Sequence, residues 1–368
     1  MRNEYVSFDS HKHYTLAERE TPATGRRKQV RIEHYPGAIR EFLAHVEPGT
    51  PVALETLGSW YWIVDEIEQA GMKPLLVHAR RAKLMLGAIN KTDQLDVHGL
   101  NVLQQTGTLP TVWIPDQTTR DLRELTRTRM VLARQRAQLK NRIQATLAKY
   151  GLQLTEWSDP FGKAARVELA KLVGQLPPQT RFVTGLLLQE LAAVLANLAE
   201  LEQRLADLEP TLPALEWLRT LPGVGLILGT VIAFELGTVS RFPDAEHFAA
   251  YAGTTPRVHS SGDKTRYGQL RPDVNRYLKW AFIEAANSVA LHRRHHPQRH
   301  VSQRYAKLRE RRGHAKAIGA VARHLAEAAY HVVRRQEPYR DPALRSSSQD
   351  QSTEVPARSP HEPRSFAE

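Results

Sequence analysis

Residues 6–12 read VSFDSHK and residues 51–58 read PVALETLG; an acid ends or interrupts a short apolar run in each, Asp9 in the first and Glu55 in the second. Residues 90–100, NKTDQLDVHGL, set Asp93 and Asp96 three apart at the start of an amphipathic, helix-like stretch. The first two stretches read as strands and the third as a helix, with all the acids at the same end of their elements. Carboxylates crowded together repel one another unless a hard cation sits between them. Two such ions about 4 Å apart can clamp a phosphodiester in line for cleavage. The pattern is that of a Mg²⁺-dependent nuclease core, with Asp9, Glu55, Asp93 and Asp96 as metal ligands, and Mn²⁺ suits the same oxygen donors. Each acid also has a plainer reading. Asp93 suits an N-cap with Asp96 reaching back from the next turn, Glu55 a solvated strand end, and Asp9 a turn. Lys12 and Lys91 flank the cluster and suit phosphate contact, or stand as solvated surface charges.

Outward from these stretches, residues 1–117 alternate strand and helix signals. Tyr5–Leu16 reads as one strand and RRKQVRIEH (26–34) as a second; residues 36–46 have helical period and Val52–Leu54 is a short buried strand. Trp60–Ala70 is helical with Gly71 as its stop, and Lys73–Val77 is another strand. Mixed strands with crossing helices imply an α/β layer. Residues 118–213 change texture to long helices. Leu125, Leu132 and Leu139 recur every seven residues, with Leu122 and Ile143 beside them. Leu187, Leu191, Val194, Leu198, Leu201, Leu205 and Leu208 step by four and three, the seam of a coiled coil. The breaks GLQLTEWSDPFGK (151–163) and LVGQLPPQT (172–180) divide this region into two arms, folded back on one another, paired with another chain, or packed as a bundle filling its own core.

Residues 214–337 form a third, helix-rich unit. It opens on Leu221-Pro222-Gly223-Val224-Gly225 just before an apolar helix. This resembles the turn of a helix-hairpin-helix, where Gly223 and Gly225 let backbone approach a phosphate and the N–H groups of the next helix bind it; an ordinary helix stop and restart is the alternative. Residues 338–368 are rich in Ser, Pro and charge and are expected to be a disordered tail.

The chain has 368 residues, 51 Lys and Arg against 39 Asp and Glu, and a net charge of +12. The excess is local: residues 1–100 balance at 13 basic and 13 acidic, 101–220 carry 15 and 12, and 221–340 carry 20 and 9. A polyanion is the natural partner, and its main footing is expected in the last of these segments. Cysteine is absent, which excludes disulfides, thiolate zinc sites and a thiol nucleophile. The N-terminus lacks the apolar stretch of a signal peptide, and the longest apolar segment, LILGTVIAFELG (226–237), is too short to span a bilayer. A soluble, cytoplasmic, nucleoid-associated protein without a membrane partner is expected.

The order of Asp on the first strand, Glu after a later strand, then T-D-x-x-D on a helix resembles the RuvC-like (RNase H-like) DEDD domain of transposases of the "IS one-ten" insertion-sequence family. Residues 241–276, RFPDAEHFAAYAGTTPRVHSSGDKTRYGQLRPDVNR, resemble that family's C-terminal transposase domain, with F-x-x-A-G-x-x-P followed closely by S-G. The likeness runs to about residue 337. Departures are Ser7 before the acid-bearing end of the first strand and Arg271-Pro272 after the serine motif.

The resemblance implies that Ser261 is the nucleophile, with Ser260 its neighbour, and that Arg257, Lys264 and Arg266 supply positive charge to the nucleic acid. Read from residues alone, Ser260-Ser261-Gly262-Asp263 is a surface turn. The resemblance further implies a transposase or site-specific recombinase acting on double-stranded DNA, element ends and target. Ser261 attacks while the acids hold Mg²⁺ against the scissile phosphate, leaving a covalent phosphoserine. It implies too a homo-oligomer, dimer or tetramer, and a structured noncoding guide RNA that pairs with donor and target. Two rivals share the residues: a junction-resolvase-like metal nuclease that hydrolyses with water, and a non-enzymatic DNA-binding protein using the basic helices. His292, His295, His296 and His300 lie among arginines and read as cationic surface rather than metal ligands.

Overall fold

The computed structural model describes residues 4–56, 58–87, 92–262, 264–271 and 274–342, with backbone only at 264, 265 and 267. Lys91 and the tail from residue 343 onward lie outside the described residues. The chain divides into two compact units, Met1–Pro115 and Asp116–Glu368.

The first unit is a mixed sheet covered by helices. In chain order it contains β1 (Tyr5–Ser10), β2 (Tyr14–Thr21), β3 (Arg26–Glu33), α1 (Ala38–Leu43), β4 (Pro51–Glu55), α2 (Trp60–Gln69), β5 (Lys73–Val77), α3 (Ala79–Leu86) and α4 (Asp93–Gln105). The strand order is β3-β2-β1-β4-β5, antiparallel from β3 to β1 and parallel from β1 to β5. Alternation along the central strands sorts the two faces. Val6, Phe8, Val52, Leu54 and Leu76 pack with Ile39, Leu43, Ile63, Val64 and Ile67 of α1 and α2. On the opposite face Ala53 and Val77 pack with Ala82, Leu100 and Leu103 of α3 and α4. Full burial of a side chain such as Phe8 contributes roughly 1.5–3 kcal/mol. Glu66 ties the first layer together, because its carboxylate accepts the backbone N–H groups of Gly37 and of Ile39 at 3.0 Å, at the start of α1.

The expectation of a single strand over Tyr5–Leu16 is corrected. The chain reverses at His11–His13, closed by His11 N–H donating to Tyr14 C=O at 2.8 Å, and β1 pairs with β2 as a hairpin. The reversal contains neither Gly nor Pro, and only Asp9-Ser10 just before it hints at a turn.

The second unit is mostly helical: α5 (Gln117–Lys149), α6 (Arg166–Gly174), α7 (Pro178–Leu208), α8 (Pro213–Leu218), α9 (Leu226–Leu236), α10 (Ala245–Tyr251), α11 (Arg276–His292), α12 (His300–Arg312) and α13 (His314–Arg335), with one hairpin, β6 (Pro256–Ser261) and β7 (Lys264–Leu270), before α11. α5 and α7 run antiparallel, as the pairs Arg129–Glu202 (2.8 Å) and Tyr150–Thr180 (3.0 Å) require. In the leucine seam of α7, Leu191, Val194, Leu198 and Leu205 are buried. The arms therefore fold back within one chain. Phe182, Val183 and Leu186 of the same helix stay exposed.

α7 also corrects the expectation about apolar length. Among the described residues Pro178–Thr211, not 226–237, is the helix long and apolar enough to cross a membrane by length and composition. Its apolar residues are interspersed with Arg181, Glu190, Glu200 and Glu202, so no continuous run stands out in the sequence.

A buried charge cluster joins α5 to α9 and α11. Glu235 is fully buried. It accepts a bidentate pair from Arg127 at 2.8 and 3.1 Å and one bond from Asn275 Nδ2 at 2.8 Å, while Arg123 donates to the Phe234 and Glu235 carbonyls at 2.9 and 3.0 Å. Asn275 is also the N-cap of α11.

Candidate active site

The parallel pairing of β1 and β4 brings two of the four acids to one edge. Val6 pairs with Val52, Ser7 with Ala53 and Phe8 with Leu54, so Asp9 and Glu55 both stand one residue past the last of these pairs on adjacent strands. By alternation they share the face of Ser7 and Ala53. That face carries α4, whose Val97 carbonyl accepts a 2.7 Å hydrogen bond from Ser7 Oγ. Ser7 thus pins α4 against the sheet.

α4 delivers the other two acids. Its N-cap is Thr92, whose Oγ1 accepts from Leu95 N at 3.3 Å, so Asp93 and Asp96 are first-turn residues and the capping explanation of Asp93 does not apply. A helix N-terminus favours negative charge there. Asp9 and Asp93 converge closely: with His11 they offer ligand atoms all within 4.8 Å of one another. Burial pushes the Asp9 carboxyl above its usual value; His11 pulls it back, and the charges of Asp93 and Asp96 push it further up. Asp9 and Asp93 are therefore neighbours in charge as well as in space, and Asp96 acts on Asp9 through its charge. Glu55 joins them through strand register.

His11 and Tyr14 were not singled out by sequence reasoning. His11 Nε2 lies 3.3 Å from Asp9 Oδ2 and 3.2 Å from Asp93 Oδ2, and Tyr14 donates its hydroxyl to Asp93 Oδ2 at 3.0 Å. The only sequence sign was a histidine two residues after a strand-end acid. Lys12 is exposed on the same reversal. The donor set suits a divalent cation: carboxylate oxygens of Asp9 on β1 and Asp93 on α4 face a buried nitrogen that makes no aligned hydrogen bond. The other His and acid grouping among the described residues is Glu18, Glu20 and His98. His292, His295, His296 and His300 form none there.

The second unit carries the serine. Ser261 ends β6 opposite Lys264, and Gly262, at φ 56°, begins the reversal. Of the four residues read as a surface turn, Ser260, Ser261 and Gly262 are exposed and Asp263 lies outside the described residues. Register puts Ser261 and His259 of β6 on one face with Arg266 of β7, which pairs with His259, while Arg257 lies at an irregularity in the pairing. His259 was not foreseen.

At the Leu221–Gly225 turn, Val224 N–H donates to Leu221 C=O at 3.1 Å. Pro222 precedes Gly223 at φ 79°, the arrangement of a type II turn. Gly223 packs on α11, where an added Cβ would lie 2.3 Å from the Ala285 carbonyl oxygen; Gly225 has open space. The turn lines a cavity of about 690 Å³ with Arg219, Ser288 and Arg299.

A transposase model of the IS110 DEDD type matches residues 29–151, spanning Glu55, Asp93 and Asp96, and the model described as "Transposase IS116/IS110/IS902 family" matches residues 215–303, spanning Gly223, Gly225 and Ser261. The chain belongs to the IS110-type transposase family. A "probable family 20 transposase" of Pseudomonas aeruginosa is 27% identical over 262 residues, 68% of this chain and 74% of that protein. The transposase for insertion sequence element IS1111A of Coxiella burnetii is 25% identical over 68% of this chain and 69% of its own length. That for IS1328 of Yersinia enterocolitica is 23% identical over 67% and 73%. The chain is thus a DNA transposase, an enzyme acting on DNA, and the non-enzymatic alternative falls away.

Proposed function

We propose that this transposase cuts and rejoins DNA by attack of the Ser261 hydroxyl on a phosphodiester held at Asp9, Glu55, Asp93 and Asp96, in a homo-oligomer guided by a structured noncoding RNA. The observation that supports the reading is the convergence of Asp9 and Asp93 at one sheet edge, with the charge of Asp96 acting on Asp9 and Glu55 on the adjacent strand. Mg²⁺ or Mn²⁺ bound there would neutralise the phosphate and the charge that develops on it.

The chain's own residues do the rest. Ser261 Oγ forms a bond to phosphorus as the bond to the leaving nucleoside oxygen breaks; the serine proton passes to a base, and the leaving oxygen is protonated or kept for rejoining. The phosphoserine ester keeps the phosphodiester bond energy, so a second strand can displace it without ATP. Arg257, Lys264 and Arg266 of the same hairpin favour a polyanion beside the serine, with Arg266 on the serine's face. The basic C-terminal segment, with Gly223 and Gly225 in a helix-hairpin-helix-like turn, suits DNA and RNA backbone alike. The exposed Phe182, Val183 and Leu186 of α7 suit contact with a second copy in a dimer or tetramer.

The test is a Mg²⁺-dependent covalent protein–DNA adduct on a denaturing gel. Wild type forms it, while Ser261→Ala and Asp96→Ala do not. Continued cleavage by Ser261→Ala with no adduct in any lane would establish hydrolysis by water and overturn the serine mechanism.

A further inference from the structure

We infer that His11 is a nitrogen ligand for the same cation as the acids and tunes the site toward Mn²⁺ over Mg²⁺; this rests on the acid-site reading above. Three observations carry it. First, the nitrogen is aimed. The His11 ring is about a third exposed, yet its Nε2 is shut off from solvent and faces two carboxylate oxygens from different elements, Asp9 Oδ2 on β1 and Asp93 Oδ2 on α4, at 3.3 and 3.2 Å. Neither contact has the alignment of a hydrogen bond.

Second, the distances suit shared ligation. Donors about 2.1–2.2 Å from one cation, at right angles, lie about 3.0–3.1 Å apart. The His11 separations need to contract by only a few tenths of an ångström to meet this.

Third, the ring is held from outside. It stacks on Tyr14 with centroids 4.5 Å apart and planes at 30°, and the Tyr14 ring lies 3.7 Å beneath the Arg31 guanidinium. Tyr14 also donates to the same Asp93 oxygen that His11 faces. One side chain thus supports both a nitrogen and an oxygen donor, as outer groups at metal centres do.

The Glu18 grouping shows the contrast. Glu18 is buried, and its Oε1 accepts from His98 at 2.9 Å and Asn101 at 3.0 Å while Oε2 accepts from Gln29 at 2.7 Å. Its oxygens are filled by protein donors, and it reads as a joint fastening α4 to β2.

An imidazole adds affinity for transition metals that a carboxylate set lacks, whereas Mg²⁺ gains little from nitrogen. The experiment uses the full chain, Mn²⁺ as the probe, electron paramagnetic resonance titration for affinity and electron spin-echo modulation for a coordinated nitrogen. Wild type is expected to show ¹⁴N coupling to bound Mn²⁺, and His11→Gln to lose it while binding Mn²⁺ about tenfold more weakly. Mg²⁺ competition should change less. Tyr14→Phe, which keeps the stacked ring, retains the coupling. If wild type binds Mn²⁺, Asp96→Asn weakens that binding and no ¹⁴N coupling appears, the inference fails while the acid site stands. Equal or tighter Mn²⁺ binding by His11→Gln overturns it too, since His11 then acts as a counter-cation. If Asp96→Asn binds Mn²⁺ as wild type does, the acid-site reading itself fails and takes this inference with it.

Discussion

The two glycines of the Leu221–Gly225 turn separate a packing role from a binding one. In Gly223→Ala the new Cβ meets backbone on three sides of Ala285, 2.3 Å from O, 3.1 Å from C and 3.3 Å from Cα, and these atoms belong to α11, not to a side chain that can swing away. The residue also sits at φ 79°, where a Cβ costs about 1–2 kcal/mol. Forcing α11 aside adds about 1–3 kcal/mol. The expected loss is about 2–5 kcal/mol, or roughly 5–15 °C in Tm for a unit of this size. Gly225→Ala places its Cβ in open space at φ −97°, so it should cost under about 1 kcal/mol and melt within roughly 3 °C of wild type. If the first N–H groups of α9 hold a phosphate, Gly225→Ala weakens binding of a short duplex by fluorescence anisotropy with stability intact. Differential scanning calorimetry on both variants and anisotropy on the second complete the comparison. A Gly223→Ala protein that melts within a degree of wild type refutes the packing argument. Unchanged DNA affinity in Gly225→Ala refutes the hairpin reading.

Glu235→Ala takes the buried carboxylate from the bidentate Arg127 and from the 3.5 Å ion pair with Arg123, whose bonds to the Phe234 and Glu235 carbonyls remain, and should cost about 3 kcal/mol in denaturant melts of the second unit, with Glu235→Gln losing less. His324, depressed to about 4 by burial and by the charge of His300 and Arg304, binds fewer protons folded than unfolded between pH 4 and 6.5. Stability should therefore fall by up to about 3 kcal/mol as pH drops across that window. A pH series of melts should show this slope in wild type and not in His324→Gln.

The strands β4 and β5 and helix α2 were legible because each buries a compact apolar run or one helical face, while β3 was legible from its alternation although it buries only Ile32. The acids at matching ends of apolar runs were legible, whereas the parallel pairing of β1 with β4 that sets Asp9 and Glu55 on adjacent strands is a long-range contact with no local sign. The β6–β7 hairpin was not legible as strands: nearly every described side chain of β6 is exposed, so no apolar pattern marks it, and only the Ser-Gly-Asp turn signal remained. The Glu235 cluster joins residues more than a hundred positions apart, from Arg123 to Glu235, with nothing local to announce it. His11 lay in plain view within VSFDSHK, but its nitrogen acquires meaning only once the β1–β2 reversal and the start of α4 bring Asp93 to it.

The acid site is built against its own charge, and that has a measurable sign. Asp9 and Asp93 offer oxygens within 4.8 Å, so their mutual repulsion is on the order of 3 kcal/mol at an effective dielectric near 20, less what the half-exposed Asp93 loses to screening. Burial and both neighbouring aspartates raise the Asp9 carboxyl above its usual value, which means the unfolded chain releases that proton more readily than the folded one. Ionised Asp9 therefore destabilises the first unit at neutral pH, and His11 with the α4 N-terminus offsets only part of this. Asp9→Asn removes one charge at nearly constant shape and should stabilise the chelator-treated protein at pH 7 by about 1 kcal/mol, or roughly 4–6 °C for the first unit, while abolishing DNA cleavage. Addition of Mn²⁺ should reverse the order, because wild type gains binding free energy that the variant does not. Thermal melts of both proteins in EDTA and in Mn²⁺ decide it. An Asp9→Asn protein less stable than wild type in EDTA would mean that Asp9 is held by favourable contacts as an ordinary structural residue, and the charge-strained metal site would lose its physical basis.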